Sequence, residues 1–150
     1  SNPICRAATS PVPARLDVLG PDGYISPDWY GVDDQVPTWN YVAVSFTGRL
    51  EPLPHSDLPD VLAAQSAAYE GRLKNKAPWT MDKMTDKTRQ RFLRMILPFK
   101  LHIEDMQSTW KLGQNKPDDV RRRAAHALTD GIGQDLYSLS QLMQHPPQTD

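Results

Sequence analysis

Hydrophobic and polar residues alternate along Thr38–Leu50, and this period of two predicts a half-buried β-strand. From residue 42 onward one parity is apolar, with Val42, Val44 and Phe46. Phe99–Glu104 alternates in the same way and predicts a further strand. Trp110–Leu112 either extends that strand or forms its hairpin partner.

The segment before residue 38 predicts a shorter strand that is interrupted by a turn. Leu16–Leu19 is a strand candidate, and Gly20–Gly23 (GPDG) follows it with residues that tight turns prefer. Tyr24–Ser26 is expected to resume the strand as far as Pro27, which cannot donate the backbone hydrogen bond that a central strand needs. We therefore expect a loop from Pro27 to Pro37, at a strand end where ligand groups are often found.

A period of three to four residues predicts helices in the remaining segments. One begins near Ser56–Asp60 and runs to about Asn75, and a second spans Asp86–Leu97. Pro117 followed by two acids favours a helix start, and a short helix is expected around Leu136–Leu142. Strands separated from helices, without regular βαβ alternation, predict an α+β fold with a mostly antiparallel sheet.

The composition of the 150-residue chain is that of an ordinary globular domain. It is 39% hydrophobic, and its 14 prolines predict a fold rich in connecting segments. No apolar run approaches the roughly 20 residues that span a bilayer, and a single cysteine excludes an internal disulfide. These features predict a protein of the cytoplasm without a membrane partner.

Charge is distributed unevenly, although the net charge is only −1. Residues 1–70 hold three basic and nine acidic side chains, whereas residues 71–100 hold nine basic and two acidic ones. Such a basic segment suits a surface that faces nucleic acid or another polyanion. The alternative is a solvated helical face that pairs with acidic residues. We favour the alternative, because a dedicated nucleic-acid domain usually has a high isoelectric point.

Aromatic and hydrogen-bonding residues are concentrated in two neighbouring stretches, Tyr24–Tyr30 and Val36–Tyr41. Together they contain two of the four tryptophans and three of the five tyrosines, beside a serine, a threonine and an asparagine. Rings supply contact area and small polar groups fix orientation, so the stretches predict a pocket for a flat ligand with a polar edge. The alternative is that the rings fill a core.

A third stretch, Trp110–Lys116, again sets an aromatic residue beside lysine, glutamine and asparagine. Lys111 or Lys116, with backbone N–H groups at the following helix start, could meet an anionic group. Asn115 has the alternative role of a helix cap. We find no metal-ligand spacing and no catalytic motif. The sequence therefore names no catalytic or metal-ligating residue and favours a binding protein over an enzyme.

In order and spacing the three stretches resemble the PaiB family of FMN-binding bacterial proteins, often described as negative transcriptional regulators. The resemblance rests on Gly20–Tyr30 (GPDGYISPDWY), Val36–Val44 (VPTWNYVAV) and Trp110–Lys116 (WKLGQNK). It covers about residues 1–128 and implies a split β-barrel like that of the flavin-dependent pyridoxine-phosphate oxidases, with peripheral helices. Position 113 is glycine where the family pattern has serine.

The resemblance also implies a homodimer with FMN at the subunit interface. It divides the chain into an FMN-binding domain over residues 1–130, lacking the usual N-terminal strands, and a helical tail over residues 131–150. Rings are expected to cover the flavin face, and hydroxyls, amides and a lysine are expected to serve its polar groups. The predicted FMN-binding residues are Tyr24, Ser26, Trp29, Tyr30, Thr38, Trp39, Asn40, Lys111, Gln114 and Asn115.

Three functions follow as hypotheses. The first is a PaiB-type FMN-binding transcriptional regulator or flavin-dependent sensor. The second is a flavin-dependent oxidoreductase for a small substrate, because a flavin performs redox chemistry with little help beyond positioning. The third is a nucleic-acid-binding protein that uses residues 72–100.

Overall fold

The computed structural model describes residues 2–147 of the chain. Their strands form one four-stranded sheet. The strands are β1 (Val12–Ile25), β2 (Thr38–Pro52), β3 (Phe99–Lys111) and β4 (Gly133–Gln134). They form an antiparallel sheet in the order β3-β2-β1-β4, which is not closed into a barrel within the described residues. The α-helices are α1 (Ile4–Ala7), α2 (Leu58–Glu70), α3 (Asp86–Leu93), α4 (Asp118–Ala127) and α5 (Leu136–Gln144). The predicted α+β class and the antiparallel sheet are confirmed.

The chain forms two compact units. The helical unit comprises Gly48–Glu104 with the chain up to Ala14, and it holds α1, α2 and α3. The core unit comprises Arg15–Thr47 with the chain from Asp105 onward, and it holds α4, β4 and α5. Among residues 2–147, no helix combines the length and the apolar character that crossing a bilayer requires.

The main hydrophobic cluster lies in the core unit. Helix α4 contributes Val120 and Ala124, and α5 contributes Leu139 and Met143, whose spacing of four residues puts them on one helix face. The other buried members are Ile25, Tyr30, Val42, Leu112, Ala125 and Leu128. The described part of the predicted tail is therefore packed into this core, and residues 148–150 of that tail lie outside the described residues.

The helical unit buries less apolar surface than the core unit. Leu58 of α2 and Leu93 of α3 are buried, whereas Trp79, Phe92 and Ile96 remain more than a third exposed. Both helices end earlier than predicted, α2 at Glu70 instead of Asn75 and α3 at Leu93 instead of Leu97. After Leu93 the chain continues in tighter turns, in which the Met95 and Ile96 N–H groups donate to the Phe92 and Leu93 carbonyls, and Pro98 disfavours helical dihedrals at Leu97.

The predicted turn at Gly20–Gly23 is wrong, because β1 runs through this segment without interruption. Both glycines instead lie where neighbouring side chains pack closely against the strand. A Cβ atom on Gly20 would lie 3.2 Å from the Val42 Cβ, and one on Gly23 would lie 2.9 Å from methyl groups of Leu128 and Leu136. At the other edge β3 is continuous, so Trp110 extends the strand predicted at Phe99–Glu104.

Candidate functional site

The first residues of strand β2 place polar side chains in a cavity. It begins at Thr38, where the loop that ends at Pro37 joins the sheet. Thr38 and Asn40 line the cavity, whereas Trp39 between them does not, as expected when successive side chains point to opposite faces. Asn40 is only 1% exposed, and its Nδ2 donates to the Met143 Sδ at 3.5 Å.

This cavity, which we name the lysine cavity, has a volume of about 440 Å³ and lies within the core unit. That volume falls in the range of about 300–1,000 Å³ that is usual for small-molecule sites. Three segments form it: the loop before β2, the start of β2, and the turn after β3. Its lining residues are Tyr30, Asp34, Gln35, Val36, Thr38, Asn40, Lys111, Gly113, Gln114, Asn115 and Lys116.

Two lysines give the cavity positive charge. Lys111 Nζ donates to the Thr38 Oγ1 at 2.7 Å, and Lys116 Nζ donates to the Gln35 Oε1. Lys116 Nζ also lies 5.3 Å from the centroid of the Tyr30 ring. Within residues 2–147, neither ammonium group has a carboxylate oxygen within 4.0 Å. Two cations without a protein counter-ion favour an anionic group on the ligand.

Tyr30 supplies a buried aromatic ring that is held from behind by α4. Burial raises the pKa of the Tyr30 phenol above its ordinary value, so the hydroxyl stays protonated at neutral pH. The Arg123 Nε donates to the Tyr30 carbonyl at 2.9 Å, and the same guanidinium pairs with the Asp119 carboxylate at 3.0 Å. The backbone that carries the ring is thereby fixed by a charge-assisted hydrogen bond.

The turn after β3 is braced by its own side chains. Gln114 uses both ends of its amide on the backbone, because its Oε1 accepts from the Leu112 N–H at 2.8 Å and its Nε2 donates to the Trp110 carbonyl at 2.6 Å. Gly113 has a φ of +78°, in the left-handed region that glycine adopts without strain. A serine here would be strained, which accounts for the glycine at this position.

Arg121 of α4 joins this turn to the end of α5. The side chain is almost fully buried, its Nε donates to the Met143 carbonyl at 2.7 Å, and its guanidinium reaches the Lys116 carbonyl at 3.5 Å. The Asp118 carboxylate balances its charge at 2.8 Å. The position of Lys116 in the cavity therefore depends on α4 and α5.

The structure brings six of the ten predicted FMN-binding residues together in the lysine cavity. These are Tyr30, Thr38, Asn40, Lys111, Gln114 and Asn115. As ligand contacts, all ten residues remain predictions.

The other four predicted residues lie outside the cavity. Tyr24 and Trp39 form an edge-to-face ring pair with centroids 6.4 Å apart, and the Trp39 Nε1 donates to the Asp22 carboxylate at 3.0 Å. Trp29 packs against the buried cluster, and Ser26 precedes the 3₁₀ turn Pro27–Tyr30.

Five residues line the cavity that were not among the predicted ten, namely Asp34, Gln35, Val36, Gly113 and Lys116. Three of them, Asp34, Gln35 and Val36, lie in the loop Pro27–Pro37, where the sequence predicts ligand groups. Lys116 lies in the third stretch, Trp110–Lys116. The sequence therefore carries a signal for both segments. The alternative role of Asn115 as a helix cap is wrong, because α4 begins at Asp118 with Pro117 at the N-cap position.

Comparison with known proteins identifies the family of this chain. Residues 1–105 match the family model described as "Putative FMN-binding domain". The chain belongs to this family. FMN is the cofactor that the family match supports, as the sequence predicted.

A curated relative confirms the resemblance to PaiB. The chain is 32% identical over 125 residues to "Protease synthase and sporulation protein PAI 2" of Bacillus subtilis (strain 168). The aligned region covers 83% of this chain and 59% of that protein, so the chain spans about three fifths of the length of this relative.

The side chains of the lysine cavity have the chemistry that FMN requires. A phosphate calls for cations, which Lys111 and Lys116 supply, and ribityl hydroxyls call for amides, which Asn40 and Asn115 supply. The Tyr30 ring borders the cavity, but it is only 3% exposed and the Lys116 ammonium lies over its face. Because both lysines follow residue 105, this part of the site lies beyond the residues that the FMN-binding family model matches.

Proposed function

We propose that this protein is a PaiB-type FMN-binding regulator or flavin sensor that holds FMN in the lysine cavity. The observation that supports this most strongly is the meeting, in one cavity of a chain from an FMN-binding family, of a buried ring, several amides and two lysines that have no counter-ion within the described part of the chain. The name of the Bacillus subtilis relative links that protein to protease synthesis and sporulation. A regulatory role for this chain is part of the proposal.

Four side chains of the cavity have a defined part in this proposal. Lys111 and Lys116 bind the phosphate, and Asn40 and Asn115 orient the ribityl chain. Bound FMN would supply one- and two-electron redox chemistry. The protein supplies binding, orientation and partial exclusion of water from the flavin.

The proposal is tested by titrating the purified protein with FMN and, separately, with riboflavin, while flavin fluorescence is recorded. Hydrogen bonds to a charged group contribute about 1.5–3 kcal/mol, so FMN is expected to bind at least about tenfold more tightly than riboflavin. A rise in melting temperature with FMN is the second readout. No quenching and no thermal shift would refute the proposal.

Matched charge variants separate a specific phosphate site from general attraction. Lys111→Gln with Lys116→Gln is expected to remove the preference for FMN over riboflavin. Lys74→Gln with Lys100→Gln removes the same charge from the helical unit and is expected to leave the preference intact. Reduction of bound flavin by NADH, followed by repeated turnover of an acceptor, would instead identify an oxidoreductase.

We further propose that the sheet belongs to a split β-barrel that works as a homodimer. One face of β1 is polar, where Arg15 and Asp17 bond each other at 2.7 Å and Ser45 bonds both. The opposite parity carries Leu16 and Val18, each about half exposed. A sheet face of this kind is normally covered by another element or subunit, and a second copy of the chain is the cover that the family resemblance implies.

A further inference from the structure

Helix α3 presents a cationic stripe that the flavin site does not use. Lys87, Arg91 and Arg94 follow each other at spacings of four and three residues, which places them on one helix face. With Thr88 they line an open cleft of about 310 Å³ within the helical unit. We name these four residues the α3 stripe.

Among residues 2–147, the three cations of the α3 stripe lack counter-ions, unlike the cations next to them. Arg89, on another side of the helix, pairs with Asp86 at 2.6 Å, and Lys76 pairs with Glu70. In the part of the chain that the structure describes, no carboxylate oxygen lies within 4.0 Å of the charged nitrogens of the stripe. Clustered like charges repel one another, so this arrangement favours the binding of an external anion.

Two contacts prepare the stripe for an anionic partner. The Arg91 guanidinium carbon lies 4.9 Å from the centroid of the Phe92 ring, a cation–π contact that restricts the side chain. The Thr85 hydroxyl, which caps α3, donates to the Thr88 Oγ1 at 3.0 Å. This bond holds the Thr88 hydroxyl beside the three cations, where it can also bond a ligand oxygen.

The length of the stripe matches a chain of phosphates better than a single one. Seven residues of helix separate Lys87 from Arg94, which is about 10 Å along the axis. Successive phosphates of one duplex strand rise by about 3.4 Å along the duplex axis, so three flexible cationic side chains spread over this length can each meet a different phosphate.

A membrane surface fits the stripe less well than nucleic acid does. An interfacial helix must bury a free apolar face in lipid. In α3 only Phe92 and Leu93 are large apolar residues, and Leu93 is buried, so the helix offers lipid no broad apolar face.

We propose that the α3 stripe binds the phosphate backbone of duplex nucleic acid without reading its sequence. Lys87, Arg91 and Arg94 each pair with a phosphate, and the Thr88 hydroxyl donates to a phosphate oxygen. This proposal does not depend on FMN binding, since the stripe lies in the helical unit and the lysine cavity lies in the core unit.

The test measures binding of a short duplex DNA of mixed sequence by fluorescence anisotropy at several salt concentrations. Three phosphate contacts predict a slope of log K against log salt of about −2.7, or about 40-fold weaker binding between about 50 and 200 mM salt. No binding at the lowest salt concentration would overturn the proposal.

Two triple variants locate the contact. Lys87→Gln, Arg91→Gln and Arg94→Gln together are expected to abolish the salt-dependent binding, with the melting temperature checking that the variant folds. Arg72→Gln, Lys74→Gln and Lys100→Gln together remove the same charge from the same unit and are expected to retain it.

Three outcomes contradict the assignment. Equal losses in the two triple variants would show diffuse attraction. Tighter binding to vesicles with anionic lipid than to the duplex would show a membrane surface. Displacement of the duplex by inorganic phosphate at constant ionic strength would show a small-anion site.

Discussion

Arg121 shows at the scale of one residue how the candidate site depends on the core beneath it. Its guanidinium serves two carbonyls and Asp118, so removing it leaves buried backbone acceptors without a donor. Arg121→Met is expected to lower the free energy of unfolding in urea by about 1–3 kcal/mol. Arg122→Met is the matched control, because that half-exposed side chain lies 3.9 Å from the same carboxylate and is expected to change stability by less than about 0.5 kcal/mol. Equal effects would contradict the role assigned to Arg121.

The pKa of the Asp119 carboxyl can be used to test whether Arg123 keeps its position behind Tyr30. The hydrogen bond from Arg123 lowers the pKa of the Asp119 carboxyl below its usual 3.8. Because the folded pKa lies below the unfolded one, the ionised form stabilises the fold fully above about pH 3.8, and this contribution is lost as the pH falls through the folded value. Arg123→Met is expected to raise the pKa of Asp119 toward 3.8 in an NMR titration, whereas Arg122→Met is expected to leave it low.

At the scale of elements, α5 is one of the parts of the core unit that lie beyond the family match. The matched residues end at 105, yet Leu139 and Met143 of α5 are fully buried in the main cluster. Leu139→Ala is expected to cost about 2–5 kcal/mol in urea unfolding, since it removes buried methyl groups and leaves a cavity. Tyr137→Ala, on the exposed side of the same helix, is expected to cost far less. A small effect of Leu139→Ala would mean that α5 is not part of the folded core.

The elements that could be predicted are those in which the spacing of apolar side chains matches the face that is buried. β2 alternates because one face is packed, and α4 shows Val120 and Ala124 at helical spacing because they enter the core. The middle of β3 could not be predicted, because its residues are mostly exposed on both faces and follow no alternation. The GPDG segment of β1 was misread because glycine serves close packing and turns alike, and only the neighbours in space decide between them.

The same limit explains how much of the candidate site the sequence predicted. Thr38 and Asn40 line the cavity whereas Trp39 between them does not, which agrees with the period of two predicted for Thr38–Leu50. The partners across the cavity, such as Lys116 and Gln35, lie 81 residues apart in the chain, and no periodic pattern links them. Contacts of this kind arise from the fold as a whole and are invisible in a local pattern.

At the scale of the whole molecule, the two units differ in charge. The helical unit has eleven basic and seven acidic residues, and the core unit has six and eleven. A polyanion is therefore steered toward the unit that holds the α3 stripe. The lysine cavity, by contrast, must attract a phosphate within a unit of net negative charge, so its two lysines have to act at short range.

At the scale of the whole molecule, the proposed homodimer can be tested by substitutions in a single strand, β1. If a second copy covers the apolar face of β1, Val18→Lys buries a charge in the interface and is expected to convert the protein from dimer to monomer in analytical ultracentrifugation. Leu19→Lys is the matched control, because this exposed neighbour lies on the opposite face by strand parity. It receives the same substitution and is expected to stay dimeric.

Sedimentation of the unsubstituted protein as a monomer at tens of micromolar, or equal dissociation of both variants, would contradict an interface on this face. Retention of FMN by the monomeric variant would further show that the lysine cavity binds flavin without a residue from the partner.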